Sequence, residues 1–559
     1  MSRMAWFRLN AFIVAVVILS ATGCTSLSDY VHNGFKVGPN YCPPPGPVAQ
    51  HWINQADFQQ TQNPEILACW WKVFNDPKLN DLVWCSFKQN LTLKEAGFRV
   101  LQERALRGVA VGNLFPQKQQ AAGSYSRQVT PAGPATGGNP TSATFADSWA
   151  TGFSLNWELD FWGRFRRAIL QADANLEASC YGYDAALVTM LGDVAQAYVR
   201  LRTDQERIKL LEANVEVQRG VLKFIETRFR AGFRQTELDY DQAVSNLKQT
   251  ESQILPLAID ARQQEDLLCI LMGMPPADLE PMLGIAPIPT APPEVVIGIP
   301  ADLLRRRPDV RQKERLAAAQ AEQIGIDLAS LYPAFSINGV IGYQAQNFPD
   351  LFRSSALSGS VGPQFQWNVL NYGRILNTTR ADDALFQALV VDFQQSVLEA
   401  DREVEDGLVS FLQSQRETKL LEESVVAAER AVKIVVLQYE KGAVDFNRYA
   451  VIEQNLVTQQ DGLAQARGQI AQGLVAMYRA MGGGWEIRLG AGAAAEGPEA
   501  AANPPTAPNA PGEQLPVPQP PDGNATGARP ALPPPPAAPQ PNAGETPAKP
   551  APKQDVKPY

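Results

Sequence analysis

Apolar and polar residues alternate strictly from Trp149 to Leu159. Trp149, Thr151, Phe153, Leu155, Trp157 and Leu159 fall on one side of an extended chain, and Ala150, Gly152, Ser154, Asn156 and Glu158 on the other. Leu357, Val361, Phe365, Trp367 and Val369 alternate in the same way with Ser358, Ser360, Gln364, Gln366 and Asn368, as do Phe335, Ile337, Ile341 and Tyr343 with Ser336, Asn338 and Gln344. A period of two puts one face of a strand in an apolar medium and the other in a wet one. The pattern predicts four strands, near 117–129, 149–159, 334–345 and 358–369, joined as two hairpins by connections rich in Gly, Pro and Ser. A half-buried strand of a soluble sheet alternates identically. Runs of about 10 residues with aromatic residues near their ends, however, have the length and trim of tilted membrane strands.

After each hairpin the period changes. No proline occurs between Gly163 and Gly232 or between Gly373 and Gly442, and each run would reach roughly 100 Å as one helix at about 1.5 Å per residue. Val194, Tyr198, Leu201, Ile208, Leu211, Val215, Leu222, Ile225 and Phe229 step by threes and fours along the first run. Val404, Leu408, Phe411, Leu421, Val425, Val432, Val435 and Tyr439 do so along the second. Such a seam predicts coiled-coil packing. Gly232 and Gly442 are expected to reverse the chain into returning helices over about 236–272 and 446–481, with Pro256 kinking or interrupting the first.

The two runs are one unit written twice. Trp157 answers Trp367, Gly163-Arg164 answers Gly373-Arg374, and Phe229-x-x-Gly232 answers Tyr439-x-x-Gly442, all at an offset of 210; Leu114-Phe115-Pro116 answers Leu331-Tyr332-Pro333 at 217. The seven-residue difference is expected in the first connection, about 130–148, read as an outward loop. The fold class is therefore mainly α with membrane β, a duplicated hairpin-plus-long-helix unit. Four strands cannot close a barrel and open edges are not tolerated in lipid, so the chain must share a barrel with copies of itself.

Composition narrows the chemistry. The net charge is −9, no basic run of five exists, and nucleic acid is not expected as a partner. His32 and His51 are the only histidines and precede both repeats, which removes a histidine metal site or general base from the repeated body. G-x-S-x-G, Walker and H-E-x-x-H motifs are absent. No catalytic residue, metal site or cofactor is expected, and the chain is read as no enzyme.

Arg3 and Arg8, the apolar run Leu9–Leu19 and Ser20-Ala21-Thr22-Gly23-Cys24 form a signal peptide over 1–23, too short in its apolar part for a comfortable membrane helix. Cys24 after small residues resembles a bacterial lipobox, which predicts acylation of Cys24 and contact with outer-membrane lipid. The other cysteines, Cys42, Cys69, Cys85, Cys180 and Cys269, have no C-x-x-C spacing and are expected as isolated buried thiols. From about 490 to 559 the chain turns to Ala, Pro, Gly and Asn and is expected to be disordered. The remaining divisions are an anchored segment (24–76), a first repeat (77–274), a Pro-rich linker (275–300) and a second repeat (301–487).

Ile299-Pro300-Ala301-Asp302-Leu303-Leu304-Arg305-Arg306-Arg307-Pro308-Asp309-Val310-Arg311, continuing through Glu314, Ala317-Ala318 and Ile324-Gly325, resembles the signature of TolC-like outer-membrane efflux proteins, specifically the NodT-type lipoproteins that serve RND pumps. Val37-Gly38-Pro39-Asn40-Tyr41, Trp70-Trp71-x-x-Phe74-x-Asp76-Pro77 and Asn113-Leu114-Phe115-Pro116-Gln117 match too, and the resemblance covers about 13–487. It implies a homotrimer with a 12-stranded outer-membrane β-barrel continuing into a periplasmic α-helical barrel, a periplasmic adaptor and an inner-membrane RND pump as partners, and export of small molecules. By motif, adaptor docking falls on the helix turns at Arg228, Gly232, Gly442 and Asp445, and the candidate gate on Tyr439, Asp445, Arg448 and Glu453. Arg448 stands where some relatives carry Asp. Arg306, Arg307 and Asp309 are read as structural, capping and pairing locally. Two other readings remain open at this point: the duct of a type I secretion system, against which the lipobox and the V-G-P-x-Y entry argue, and a lipid-anchored coiled-coil scaffold with no pore.

Overall fold

The computed structural model describes residues 27–49, 51–53, 59–60, 67–130, 143–231, 236–292, 296–297 and 306–490. The signal peptide, Cys24, Gly232 and the tail from 491 lie outside the described residues. The chain divides into two units, 1–497 and 498–559, and only the first contains described residues.

In chain order the main helices and strands are α1 (Leu27–His32), α2 (Pro77–Gln89), α3 (Leu91–Gly112), β1 (Lys118–Thr130), β2 (Thr144–Leu159), α4 (Arg164–Arg230), α5 (Thr236–Leu271), α6 (Pro308–Ala329), β3 (Ala334–Ala345), β4 (Leu357–Gln366), α7 (Arg374–Glu440) and α8 (Phe446–Ala480). A two-residue parallel bridge also joins Gln59–Gln60 to Val296–Ile297. The duplication is exact in length where it matters: α4 and α7 have 67 residues each. Both start after a glycine in left-handed conformation, Gly163 (φ 80°) and Gly373 (φ 78°), which a side chain would strain. The repeated tryptophans do the same job twice. Trp157 Nε1 donates to Leu114 O at 3.2 Å and Trp367 Nε1 to Leu331 O at 2.9 Å, tying the end of each hairpin to the chain that enters it.

The strands form one antiparallel sheet in the order β1-β2-β3-β4, so the hairpins lie side by side through β2 and β3. Three expectations need correction. β4 ends at Gln366, and Trp367 to Val369 belong to the turn into α7. The seven extra residues do not enlarge the first connection: the β1–β2 ladder has thirteen pairs and β3–β4 ten, while 131–143 and 344–356 are equally long. The first hairpin is simply taller. Pro256 does not interrupt α5, which runs helically from Thr236 to Leu271; Pro256 sits on its exposed face.

The central core gathers Trp70, Trp71, Leu82, Leu191, Tyr198, Leu268, Leu408, Phe411, Leu474 and Tyr478 from α2, α4, α5, α7, α8 and the turn before α2. Trp70 stacks on Tyr478 with ring centroids 5.6 Å apart. The predicted seam is buried here, with Val194, Leu201, Val404 and Leu408 wholly inaccessible. Phe229 departs from the seam: it is 44 % exposed and stacks on Tyr240 instead of joining the interior. Arg307 reaches further than its own helix start. Besides Asp309 it donates to Glu403 of α7 and to Ala480 O at the end of α8, both at 2.8 Å.

Candidate functional site

Register assigns the faces of the sheet. Phe153 pairs with Ala121 and Ile341, Leu155 with Gly339 and then Val361, and Leu159 with Phe335 and then Phe365, so the apolar residues of different strands share one face. The other face is a ladder of amides and hydroxyls. Asn156 donates to Asn338, Asn338 Nδ2 donates to Gln364 Oε1 at 2.5 Å, and Gln344 Nε2 to Ser148 Oγ at 3.4 Å. Gly152 and Gly342 face each other on this polar side, and a Cβ on either would lie under 3.0 Å from the opposite backbone. Only glycine fits where the two backbones approach this closely. Both outer edges, β1 and β4, are unpaired among the described residues.

Where strand turns to helix, the segment before α2 is strapped on. Arg167, inaccessible to solvent, donates to Val37 O and Glu322 Oε2 at 2.7 Å and to Gly38 O at 2.8 Å. Arg166 donates to Gly34 O and Phe35 O, and Tyr30 Oη to Phe161 O. The V-G-P-x-Y segment and the residues just before it are thus held at the base of the sheet by Arg167 and Arg166 of α4. Farther along, Gln394 Nε2 donates to Pro45 O and Ile53 N to Glu405 Oε1, laying the strap along α7.

At the far end α7 turns into α8. Gly442 N donates to Tyr439 O at 2.9 Å and Ala443 N to Gln438 O at 2.8 Å, a Schellman closure that needs the left-handed Gly442 (φ 72°). Asp445 is the N-cap of α8 and accepts from Arg448 N at 3.0 Å. Within one chain Asp445 therefore meets the backbone of Arg448, whose side chain is exposed. Tyr439 is buried among Phe446 and Tyr449, and its hydroxyl donates to Asp239 of α5 at 3.5 Å, linking the two repeats. Burial, together with the Asp239 charge, pushes the Tyr439 hydroxyl up to about 12. Gln242 Nε2 makes a second link to Asn447 Oδ1 at 3.0 Å. Arg228 lies over the Phe224 ring at 5.5 Å. Glu453 is buried two turns into α8, and burial pushes its carboxyl up to about 7. Of the sites expected from sequence, this end brings together Tyr439, Asp445, Arg448 and Glu453, with Arg228 across from them; Gly232 lies outside the described residues.

Sequence reasoning missed Asp239, Tyr449 and Gln218. The offset of 210 pairs Asp239 with Tyr449, so comparing the repeats position by position would have marked both. Of the five described cysteines only Cys269 is buried; Cys42 and Cys85 are exposed, against the expectation of buried thiols. Among the described residues no group of three or more His, Cys, Asp or Glu could hold a metal ion, and no helix is long and apolar enough to cross a membrane.

A sheet with one apolar and one polar face, set on two helices of 67 residues, the second of which closes in a tight turn, defines a membrane-seated duct component. The outer membrane efflux protein family matches residues 86–273 and 299–483, the two repeats, and the chain belongs to that family. It is similar to Nodulation protein T of Rhizobium leguminosarum bv. trifolii, 28% identical over 81% of this chain and 95% of that protein. It is similar to the pyoverdine export outer membrane protein OpmQ of Pseudomonas aeruginosa, 28% identical over 75% of this chain and 87% of the relative. Among solved structures, the outer-membrane channel OprN superposes with a TM-score of 0.74 at 29% identity, covering 80% of this chain and 99% of that one. The chain is an efflux outer-membrane channel of the RND type.

Proposed function

We propose that three copies of this chain close a twelve-stranded barrel in the outer membrane and continue it into a periplasmic α-helical tube. In this reading Cys24 anchors each copy to lipid, and the tube passes small molecules onward from an inner-membrane RND pump through a periplasmic adaptor. The observation that carries it is the four-stranded sheet with one polar face and two open edges. Unpaired edges are excluded from lipid, and three such sheets supply twelve strands, enough for a barrel with an open lumen. The exposed apolar residues Leu91, Phe98, Leu101, Leu106 and Val109 of α3 support it, because a lone chain would leave them in water. The turns at Arg228, Gly232, Gly442 and Asp445 are the adaptor-docking end, and Tyr439, Asp445, Arg448 and Glu453 the gate. In this reading the repeats span 77–274 and 301–487. Light scattering of the detergent-purified protein tests the assembly. A protein mass of three chains is expected, and a stable monomer overturns barrel closure.

A further inference from the structure

Glu453 is 4 % exposed on α8, beside Gln218 of α4, which is 5 % exposed. Glu453 Oε1, Gln218 Oε1 and the Tyr449 hydroxyl are buried together with no hydrogen bond of good geometry among them, although Tyr449 and Gln218 stand near enough to stabilise the carboxylate in part. Three buried polar atoms so poorly matched at one helix contact are costly to keep. Packing does not require them. The offset of 210 sets Ala243 of α5 at the position of Glu453 and Ala428 of α7 at that of Gln218, and both alanines are buried. A small apolar residue fills the equivalent place in the other repeat, so the acid is an addition to the common scaffold.

The groups around the carboxyl are few. Its own helix contributes Tyr449, whose hydroxyl burial also pushes up. From α4 comes uncharged Gln218, and the apolar cluster that holds Tyr449 draws Ala243 from α5 and Val435 and Tyr439 from α7. The Asp239–Tyr439 pair lies nearer the turn, and burial raises Asp239 as well. Burial dominates at Glu453; Tyr449 and Gln218 offset it only in part, and no cation does.

We propose that Glu453 is a proton-controlled latch between α4 and α8: the neutral acid lets the helices pack, and its carboxylate drives them apart at the turn end of the tube. The latch rests on the reading of this end as the gated entrance. Packed, Glu453 keeps its proton up to about 7; opened to water, it returns toward 4.5. The raised value belongs to the packed state, so the packing contribution is complete below about 4.5, is lost across the interval to about 7, and is smallest above it. The open-to-packed ratio can rise by at most about 300-fold per chain, the gap between the two values in powers of ten. Acid closes the contact and neutral or alkaline conditions loosen it.

Hydrogen exchange over residues 444–456 of the full-length protein, at pH 5 and pH 8 and corrected for intrinsic rates, tests this against Glu453→Gln. The wild type should lose roughly tenfold or more of its protection at pH 8, while Glu453→Gln stays at the wild-type pH 5 level throughout. Glu453→Ala, which copies Ala243, should be equally flat and serves if the Gln variant misfolds. A pH response shared by all three proteins, or none in the wild type, overturns the latch. Bilayer current measured on the same samples separates the two readings. An exchange difference confined to the wild type, without current at either pH, supports the proton-controlled packing of α4 and α8 and refutes the duct that would make it a gate. Current with the same pH profile in wild type and variants refutes the latch alone.

Discussion

Replacing Phe153 and its neighbour Ser154 by Asp should have opposite outcomes, because the register puts them on opposite faces of β2. Phe153 lies six residues from the helix-side end of the strand at Leu159. At a strand rise of about 3.3 Å and a tilt near 45°, that is roughly 14 Å of height, close to the middle of an apolar band about 25 Å tall. An acidic side chain at that depth costs on the order of 2 kcal/mol or somewhat less. Loss of the Phe side chain from an apolar setting costs about 2 kcal/mol more. Each chain then loses roughly 3–4 kcal/mol, and a trimer suffers the loss three times. Ser154 faces the amide ladder, with its hydroxyl 3.4 Å from Gln120 O, and Asp there meets lumen water at a cost within about 0.5 kcal/mol. Trimer yield after outer-membrane extraction, followed on a sizing column, is the assay. Phe153→Asp should abolish or severely reduce trimer, while Ser154→Asp should leave it intact and raise cation selectivity. Equal loss for both, or a harmless Phe153→Asp, would refute the assignment of faces.

Arg167→Leu should destabilise the protein by about 3–5 kcal/mol, since it strands buried Glu322 and two strap carbonyls; adding Glu322→Leu should recover much of that, as thermal unfolding in detergent would show. Asp445→Ala should cost about 1 kcal/mol by uncapping α8, whereas Asp445→Asn keeps the cap, and circular dichroism on heating distinguishes them. Arg448→Ala, which spares that backbone contact, should raise resting conductance without lowering trimer yield if its exposed side chain bridges subunits; wild-type conductance removes it from the gate. Cys24→Ser should eliminate labelled palmitate incorporation, and unchanged labelling contradicts the lipid anchor.

Much of this architecture was legible in the order of residues because it is periodic and written twice. Alternation at Trp149–Leu159 marked the strand faces, and two proline-free runs with a shared seam marked α4 and α7. What escaped notice depends on contacts between distant segments. The extra height of the first hairpin escaped because Asp147 breaks the alternation of β2, so Thr144 to Ser148 were counted in the connection, and their pairing follows from Ser126 to Thr130 of β1 rather than from their own pattern. Arg167 carries no local signal that it is buried, since its partners Val37, Gly38 and Glu322 lie 129 to 155 residues away. At the candidate gate, Glu453 was visible as a carboxylate past Gly442, yet its burial against Gln218 was not. Phe229 occupied the seam register but lies past the last close packing of the coil, where the exposed end of α4 lets it turn to Tyr240.

Single-channel recording of the purified full-length protein in a planar bilayer bears most directly on the trimeric duct. Discrete, stable current steps are predicted, with cation selectivity increased by Ser154→Asp. Protein that incorporates into the bilayer as trimers yet never passes current would contradict a continuous water-filled passage and leave a lipid-anchored coiled-coil scaffold in its place.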